Sequence, residues 1–300
     1  MNKEQNFISA VVYVDDDSDT TVRFFEQLNA CLNEHFLQYE LIAVNGDSAN
    51  NANQKLRAWA ETISKPLTVV NMSLRQPREQ CMNAGIDIAI GDYVYEFDDA
   101  DMTYSSTLIW ESYQTAMKGS DIVTVCPKAG RKTSSLFYSV FNRYSNAPYQ
   151  LRTDAFRLVS RRAINRAHAI SENLPYRKAA YAACGLKMDT LEFDGRLRSK
   201  EENRFDLATD SLVLYTDFGY RFSISLTLAM ALIALAELIY TVAVWVIGKP
   251  ISGWTTTMFV LSLGLTGLFA ILAVVLKYLS LILRINFRKQ SYQVEGIEKL

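Results

Sequence analysis

Histidine and cysteine are scarce in this 300-residue chain, and the few present stand apart from one another. His35 and His168 fall in no ligand-like cluster, which argues against a histidine metal site or a Ser-His-Asp triad. Cys31, Cys81, Cys126 and Cys184 show neither CxxC nor Cys/His spacing. They read as reduced cytosolic thiols, not as a zinc site or a disulfide framework. An excess of one charge is also missing, since 31 Lys and Arg face 32 Asp and Glu. Without a basic surplus the chain lacks the electrostatic footprint of a nucleic-acid binder. Met1 to Asn6 is polar and Phe7 opens a strand-like run, so no signal peptide is read at the start.

Long apolar runs are what the sequence does have. One extends from Phe222 to about Gly248 and a second from about Trp254 to Leu283. Each exceeds the ~20 residues needed to cross a bilayer. The short turn Gly248 to Gly253 between them makes the pair a transmembrane hairpin. Arg221 precedes the first run and Arg284, Arg288 and Lys289 follow the second, against Lys249 alone in the turn. By the positive-inside rule, the N-terminal part and the tail both face the cytoplasm, as in a multi-pass membrane protein. The expected division is a cytoplasmic domain over 1–193, a juxtamembrane segment over 194–221, the hairpin over 222–283 and a cytoplasmic tail over 284–300. Glu237 lies mid-span, where a carboxylate needs a protein partner or a proton, and another subunit could supply the partner.

In the soluble part, strand and helix signals alternate. Phe7 to Val14 is a short apolar run, and Val22, Phe25, Leu28 and Leu32 follow at helical spacing. Leu41 to Val44, Leu67 to Val70, Tyr93 to Phe97 and Asp121 to Val125 read as further strands. Helices are expected around Gln54 to Ile63, Glu79 to Ile90 and Ser105 to Lys118. This order predicts an α/β domain with a doubly wound, mostly parallel sheet. In such sheets ligands bind beyond the carboxyl ends of the strands. Three of those ends are polar or acidic: Asp15 to Asp17, Asn45 to Asp47 and Asp98 to Asp101.

The last of these is the densest. In Tyr93-Val94-Tyr95-Glu96-Phe97-Asp98-Asp99-Ala100-Asp101 a strand runs into three carboxylates within four positions. Such crowding raises carboxylate pKa values unless a cation or donors hold the groups ionised. Mg²⁺ or Mn²⁺, bound through carboxylates and substrate phosphates, fits that need. A solvated acidic turn is the plain alternative, and the convergence of three polar strand ends favours a site.

On these residues the chain resembles the GT-A glycosyltransferases of family 2, in the polyprenyl-phosphate branch that includes dolichyl-phosphate mannose synthase and bacterial undecaprenyl-phosphate relatives. Asp99-Ala100-Asp101 stands at the family's metal and nucleotide motif, and Arg78-Glu79 at its Lys/Arg-Glu pair. Phe156 to Arg162 is similar to the acceptor-side segment DFRLLSRR, with Asp154 and Ala155 before it, and Arg198-Ser199-Lys200 is similar to a basic Ser-Lys-Tyr segment. The resemblance implies a GT-A fold followed by the hairpin. It also implies an inverting transfer of a sugar from a nucleotide-sugar donor to polyprenyl (undecaprenyl) phosphate among membrane lipids at the cytoplasmic face of the inner membrane, with Mg²⁺ or Mn²⁺ and a homo-oligomer, a tetramer by resemblance.

The site expected on this basis has Asp99 and Asp101 as metal ligands, with Arg157 and Asp154 as further catalytic residues. Asp15, Asp17, Asn45, Asp47, Arg78 and Asp99 would bind the donor. Arg131, Lys132, Arg198 and Lys200 would take the acceptor phosphate. Some positions depart from the family pattern: Asn45-Gly46-Asp47-Ser48 stands where Asp-Asp-Gly-Ser is usual, Thr103 where Gln is common, and Ala155 where Asp is. These leave two alternatives open, a transferase using another lipid or glycan acceptor and a weakened relative acting as an assembly partner.

Overall fold

The computed structural model describes residues 3–14, 19–46, 54–63, 65–73, 75–128, 138, 142–143, 148–170, 176–195, 218–248, 253–286 and 292–300. Its centre is β1 (Ile8–Val14), buried at every position as a strand covered on both faces must be. β1 pairs in parallel with β2 (Tyr39–Asn45) on one side and β4 (Tyr93–Phe97) on the other. β3 (Leu67–Met72) extends the parallel block beside β2. β6 (Phe156–Ser160) then pairs antiparallel with both β4 and β5 (Ile122–Pro127), and β7 (Met188–Phe193) closes that edge in parallel with β5. With β8 (Val294–Lys299) the order is β7-β5-β6-β4-β1-β2-β3-β8.

Helices fill the crossovers. α1 (Asp19–His35) buries Thr21, Phe24, Phe25, Leu28 and Leu32, so Phe24 takes the inward place expected for Val22. α2 (Gln54–Ala60) and α4 (Thr107–Met117) follow the expected spacing, and α4 buries Leu108, Ile109, Ser112, Tyr113 and Ala116. α3 (Arg78–Ile88) ends two residues before the expected boundary, where Ala89 turns extended. It lies close against the sheet at Gly85, where a Cβ would stand 2.5 Å from Val44 and 2.6 Å from Val11. α5 (Arg161–Ile170) and α6 (Arg177–Ala183) follow β6.

The last strand belongs to the segment expected to be a tail. β8 pairs antiparallel with β3, Val69 opposite Glu298 and Val70 opposite Ile297, and so covers an edge that would otherwise expose its backbone groups. Gln293, just before it, accepts from the Ser73 N–H at 3.1 Å and from Gln76 Nε2 at 2.8 Å. Tyr292 donates to Asp87 on α3. The chain thus divides into one unit of residues 1–208 and 288–300 and a second of 209–287. The second unit holds α7 (Phe218–Ile247) and α8 (Trp254–Asn286). Within them Ile224–Ile247 and Trp254–Leu279 are long and apolar enough to cross a membrane, and large apolar side chains such as Leu232, Ile239, Trp245 and Ile271 are exposed.

Candidate active site

β2, β1 and β4 are parallel neighbours, so their carboxyl ends share one edge of the sheet. Asn45 ends β2 there, 4% exposed, its Nδ2 donating to Asn71 Oδ1 at 3.2 Å. Asn71 in turn donates to Glu298 of β8 at 3.0 Å. Arg78 opens α3 with its guanidinium over the Tyr13 ring, 5.2 Å from the centroid, near the end of β1. β4 leads directly into Asp99 and Asp101, both half-buried. The sequence-predicted residues Asn45, Arg78, Asp99 and Asp101 therefore meet along one edge. Asp15, Asp17, Asp47, Arg131, Lys132, Arg198 and Lys200 lie outside the described residues.

Asp99 and Asp101 bear on a common neighbour. Burial pushes the Tyr104 phenol well above its usual range, and the charges of Asp101 and Asp99 push it further. Among the described residues no group of three or more His, Cys, Asp or Glu side chains forms a metal cage. Two carboxylates near one another in the chain, completed by substrate phosphate oxygens, are a donor set that Mg²⁺ or Mn²⁺ uses. The residues present fit such an ion.

Asp98, the third acid of the tip, is turned inward. Its two oxygens accept from two arginines, Oδ1 from Arg177 at 2.5 Å and Oδ2 from Arg157. Arg157 sits on β6 opposite Glu96 in the β4–β6 register and donates to Glu96 at 3.0 Å and to Asp154 at 2.9 Å. Its side chain is 1% exposed. That placement gives Arg157 three carboxylate partners inside the protein, Glu96, Asp98 and Asp154. Asp154 likewise accepts from Arg157 and pairs with Lys178, so it is committed inside the protein. Tyr181 completes the group, its hydroxyl donating to Glu96 at 2.5 Å.

Glu79, Glu96, Asp98 and Asp154 thus surround Arg157, Arg177 and Lys178. Burial would lower the guanidinium pKa of Arg157, but Asp154, Asp98 and Glu96 hold it well above its ordinary value. Burial works against ionised Asp98 too, yet Arg157, Arg177 and Lys178 hold its carboxyl well below the usual range. At Glu96 burial prevails and pushes the carboxyl up, opposed by Arg177, Arg157 and the Tyr181 hydroxyl. Removing one partner from such a buried group costs about 3–5 kcal/mol, because it strands the others. Glu96, Arg177, Lys178 and Tyr181 are residues the sequence did not single out. The available signal was a glutamate inside an otherwise apolar strand, which requires a buried cation nearby.

A mixed, mostly parallel sheet that carries an Asp-Ala-Asp turn at its carboxyl edge defines the GT-A class of sugar-transferring enzymes. The glycosyl transferase family 2 model matches residues 26–185, more than half of the chain, and the chain belongs to that family. An uncharacterized glycosyltransferase of Synechocystis is 25% identical over 206 residues, which cover 66% of this chain and 64% of that protein. The chain thus spans just under two thirds of that relative's length. A prophage bactoprenol glucosyl transferase homolog of Escherichia coli is 25% identical over 228 residues, 71% of this chain and 72% of its own. Among solved structures, mannosyl-3-phosphoglycerate synthase from Rubrobacter xylanophilus matches with a TM-score of 0.50 at 13% identity, over 69% of this chain and 72% of that one. At that identity the likeness is one of fold.

Proposed function

We propose that this family 2 glycosyltransferase moves a sugar from a nucleotide-sugar donor to a polyprenyl phosphate at the cytoplasmic face of a membrane. One observation carries the reading: two membrane-length apolar helices interrupt the domain between the seventh and eighth strands of a single sheet. An acceptor held in the membrane suits a transferase whose chain runs through two such helices between two strands of its sheet. An even number of crossings also lets β8 rejoin β3 on the side where β3 formed. The bactoprenol relative supports the acceptor class.

The chemistry asks little of a base. A lipid phosphate is ionised near neutral pH, so its oxygen can bond to the anomeric carbon while the bond from that carbon to the diphosphate breaks and the nucleoside diphosphate leaves. Single displacement inverts the anomeric configuration. The difficult parts are the charge on the leaving group and the approach of two anions. A divalent cation at Asp99 and Asp101 would supply Lewis-acid neutralisation of the diphosphate. Arg78 stands on the same edge to bind donor, and Arg131, Lys132, Arg198 and Lys200 are the candidates for screening the acceptor phosphate.

The test is transfer to undecaprenyl phosphate by the full chain in detergent, across a panel of nucleotide sugars with Mg²⁺, Mn²⁺ or chelator. A glycosylated lipid with at least one donor, lost on chelation, is expected. Asp99→Asn and Asp101→Asn should each cut turnover by roughly 10²-fold or more. No lipid product with any donor, or near-wild-type rates in both variants, would overturn the proposal.

A further inference from the structure

Arg177 makes contacts that the proposed chemistry has so far left unused. Its backbone N–H and Nε both donate to Glu79 Oε2, at 3.1 and 2.8 Å, its Nη1 to Glu96 at 2.6 Å and its Nη2 to Asp98 at 2.5 Å. The side chain is 0% exposed, so the guanidinium itself is shielded from solvent. One planar guanidinium therefore joins the first turn of α3, the interior of β4 and the first residue of the acidic turn. Arg157 approaches the same Asp98 from β6, and between them the two arginines take both of its oxygens.

The next residue after Asp98 is Asp99. A turn whose first side chain is gripped from two sides has little freedom to swing the carboxylates that follow it. The grip also separates the charges. Asp98 is paired with protein cations, so its charge is balanced within the protein and is not added to those of Asp99 and Asp101. Through Glu79 the same guanidinium fixes the start of α3, where Arg78 stands next in sequence. Arg177 thus links two parts of the donor edge that come from different crossovers.

We propose that Arg177 is a positioning residue for sugar transfer: from the first turn of α6 it grips Asp98 while Arg157 grips it from β6, and this holds Asp99 and Asp101 in place for a divalent cation and the donor diphosphate. The proposal rests on the reading of Asp99 and Asp101 as donor carboxylates. A ligand site arranged before binding avoids the cost of ordering it at the moment of binding. Lysine cannot replace the fork, because one ammonium on a flexible stem cannot span three carboxylates in fixed geometry.

The test is Mn²⁺ binding to the full chain in detergent, followed by the electron paramagnetic resonance signal of free Mn²⁺, with and without added UDP or GDP. The variants are Arg177→Lys, Arg177→Met and Asp98→Asn, each checked for folding by circular dichroism and thermal unfolding. Arg177→Lys, which keeps the charge, is expected to recover most of the unfolding temperature lost in Arg177→Met. It should still bind Mn²⁺ at least tenfold more weakly than wild type. Asp98→Asn should weaken binding similarly, and these two variants decide the matter if Arg177→Met does not fold. A residue that only balanced buried charge would let Arg177→Lys restore stability and Mn²⁺ affinity together. Folded Arg177→Lys and Asp98→Asn chains within twofold of wild-type affinity would overturn this proposal alone. A wild-type chain that binds no Mn²⁺ would overturn the reading of Asp99 and Asp101, and this inference with it.

Discussion

Gly85 faces the sheet from α3 with no room for a methyl group, since Val44 and Val11 would stand at 2.5 and 2.6 Å. Both neighbours are β-branched residues of buried strands, so neither can step aside. Gly85→Ala should therefore destabilise the domain by about 1–3 kcal/mol through overpacking, read by chemical denaturation. Asp121 gives a residue-scale prediction in pH. Hydrogen bonds from Arg162 and Ser160 hold its carboxyl below the usual range against the opposing effect of burial. Its folded-state pKa thus lies under the unfolded value of about 3.9. The stabilisation is fully present above that value and is lost as pH falls through the folded pKa. The unfolding temperature of Asp121→Asn should fall less steeply with acid than that of wild type. At this scale the sequence is a partial guide. The Asp99-Ala100-Asp101 turn is legible because its acids are contiguous. The role of Arg157 is not, because Glu96 and Asp98 reach it only through strand pairing, and Arg177 reaches them from another helix 81 and 79 positions away.

Among the elements, β1 to β5 were legible because buried parallel strands are continuous apolar runs separated by helical spacing. β6 was not, since Arg157 breaks its apolar pattern, and only the antiparallel register opposite Glu96 makes a charge tolerable there. β8 was hidden for a different reason. Its burial alternates between half-buried and exposed, as expected at an edge, and Val-Glu-Gly-Ile-Glu-Lys after a long apolar helix resembles a solvated tail. Yet Gln293 fastens the loop between β3 and α3, which carries the chain to Arg78, and Tyr292 bonds Asp87 on α3 itself. Deleting residues 292–300 should expose β3 and cost at least about 2 kcal/mol, a shift of roughly 4–8 °C for a domain of this size. Hydrogen exchange should quicken at the Ser73 amide, which donates to Gln293. An unchanged unfolding temperature would mean that β8 contributes nothing to the fold.

At the scale of the whole molecule, the apolar runs located both long helices from sequence, because twenty-odd consecutive apolar residues have few other uses. What the sequence did not reveal is that the strands before and after the two helices, β7 and β8, belong to one sheet. The proposed topology puts Ser252, between the two apolar runs, on the opposite side of the membrane from β8. A membrane-impermeant maleimide should label Ser252→Cys in intact cells and Glu295→Cys only after permeabilisation. The reverse pattern would sink the proposed orientation.

The place of β8 also sets a timetable for synthesis. The first seven strands are complete at Phe193, but their partner begins only at Val294. At 5–20 residues per second, the edge of β3 waits roughly 5–20 s for its cover while both apolar helices are made. A nascent chain stalled or cleaved within the hairpin would therefore leave the ribosome with an open strand edge. That edge is a surface for chaperones and proteases to recognise, so only chains translated beyond both apolar helices acquire the covered β3 edge.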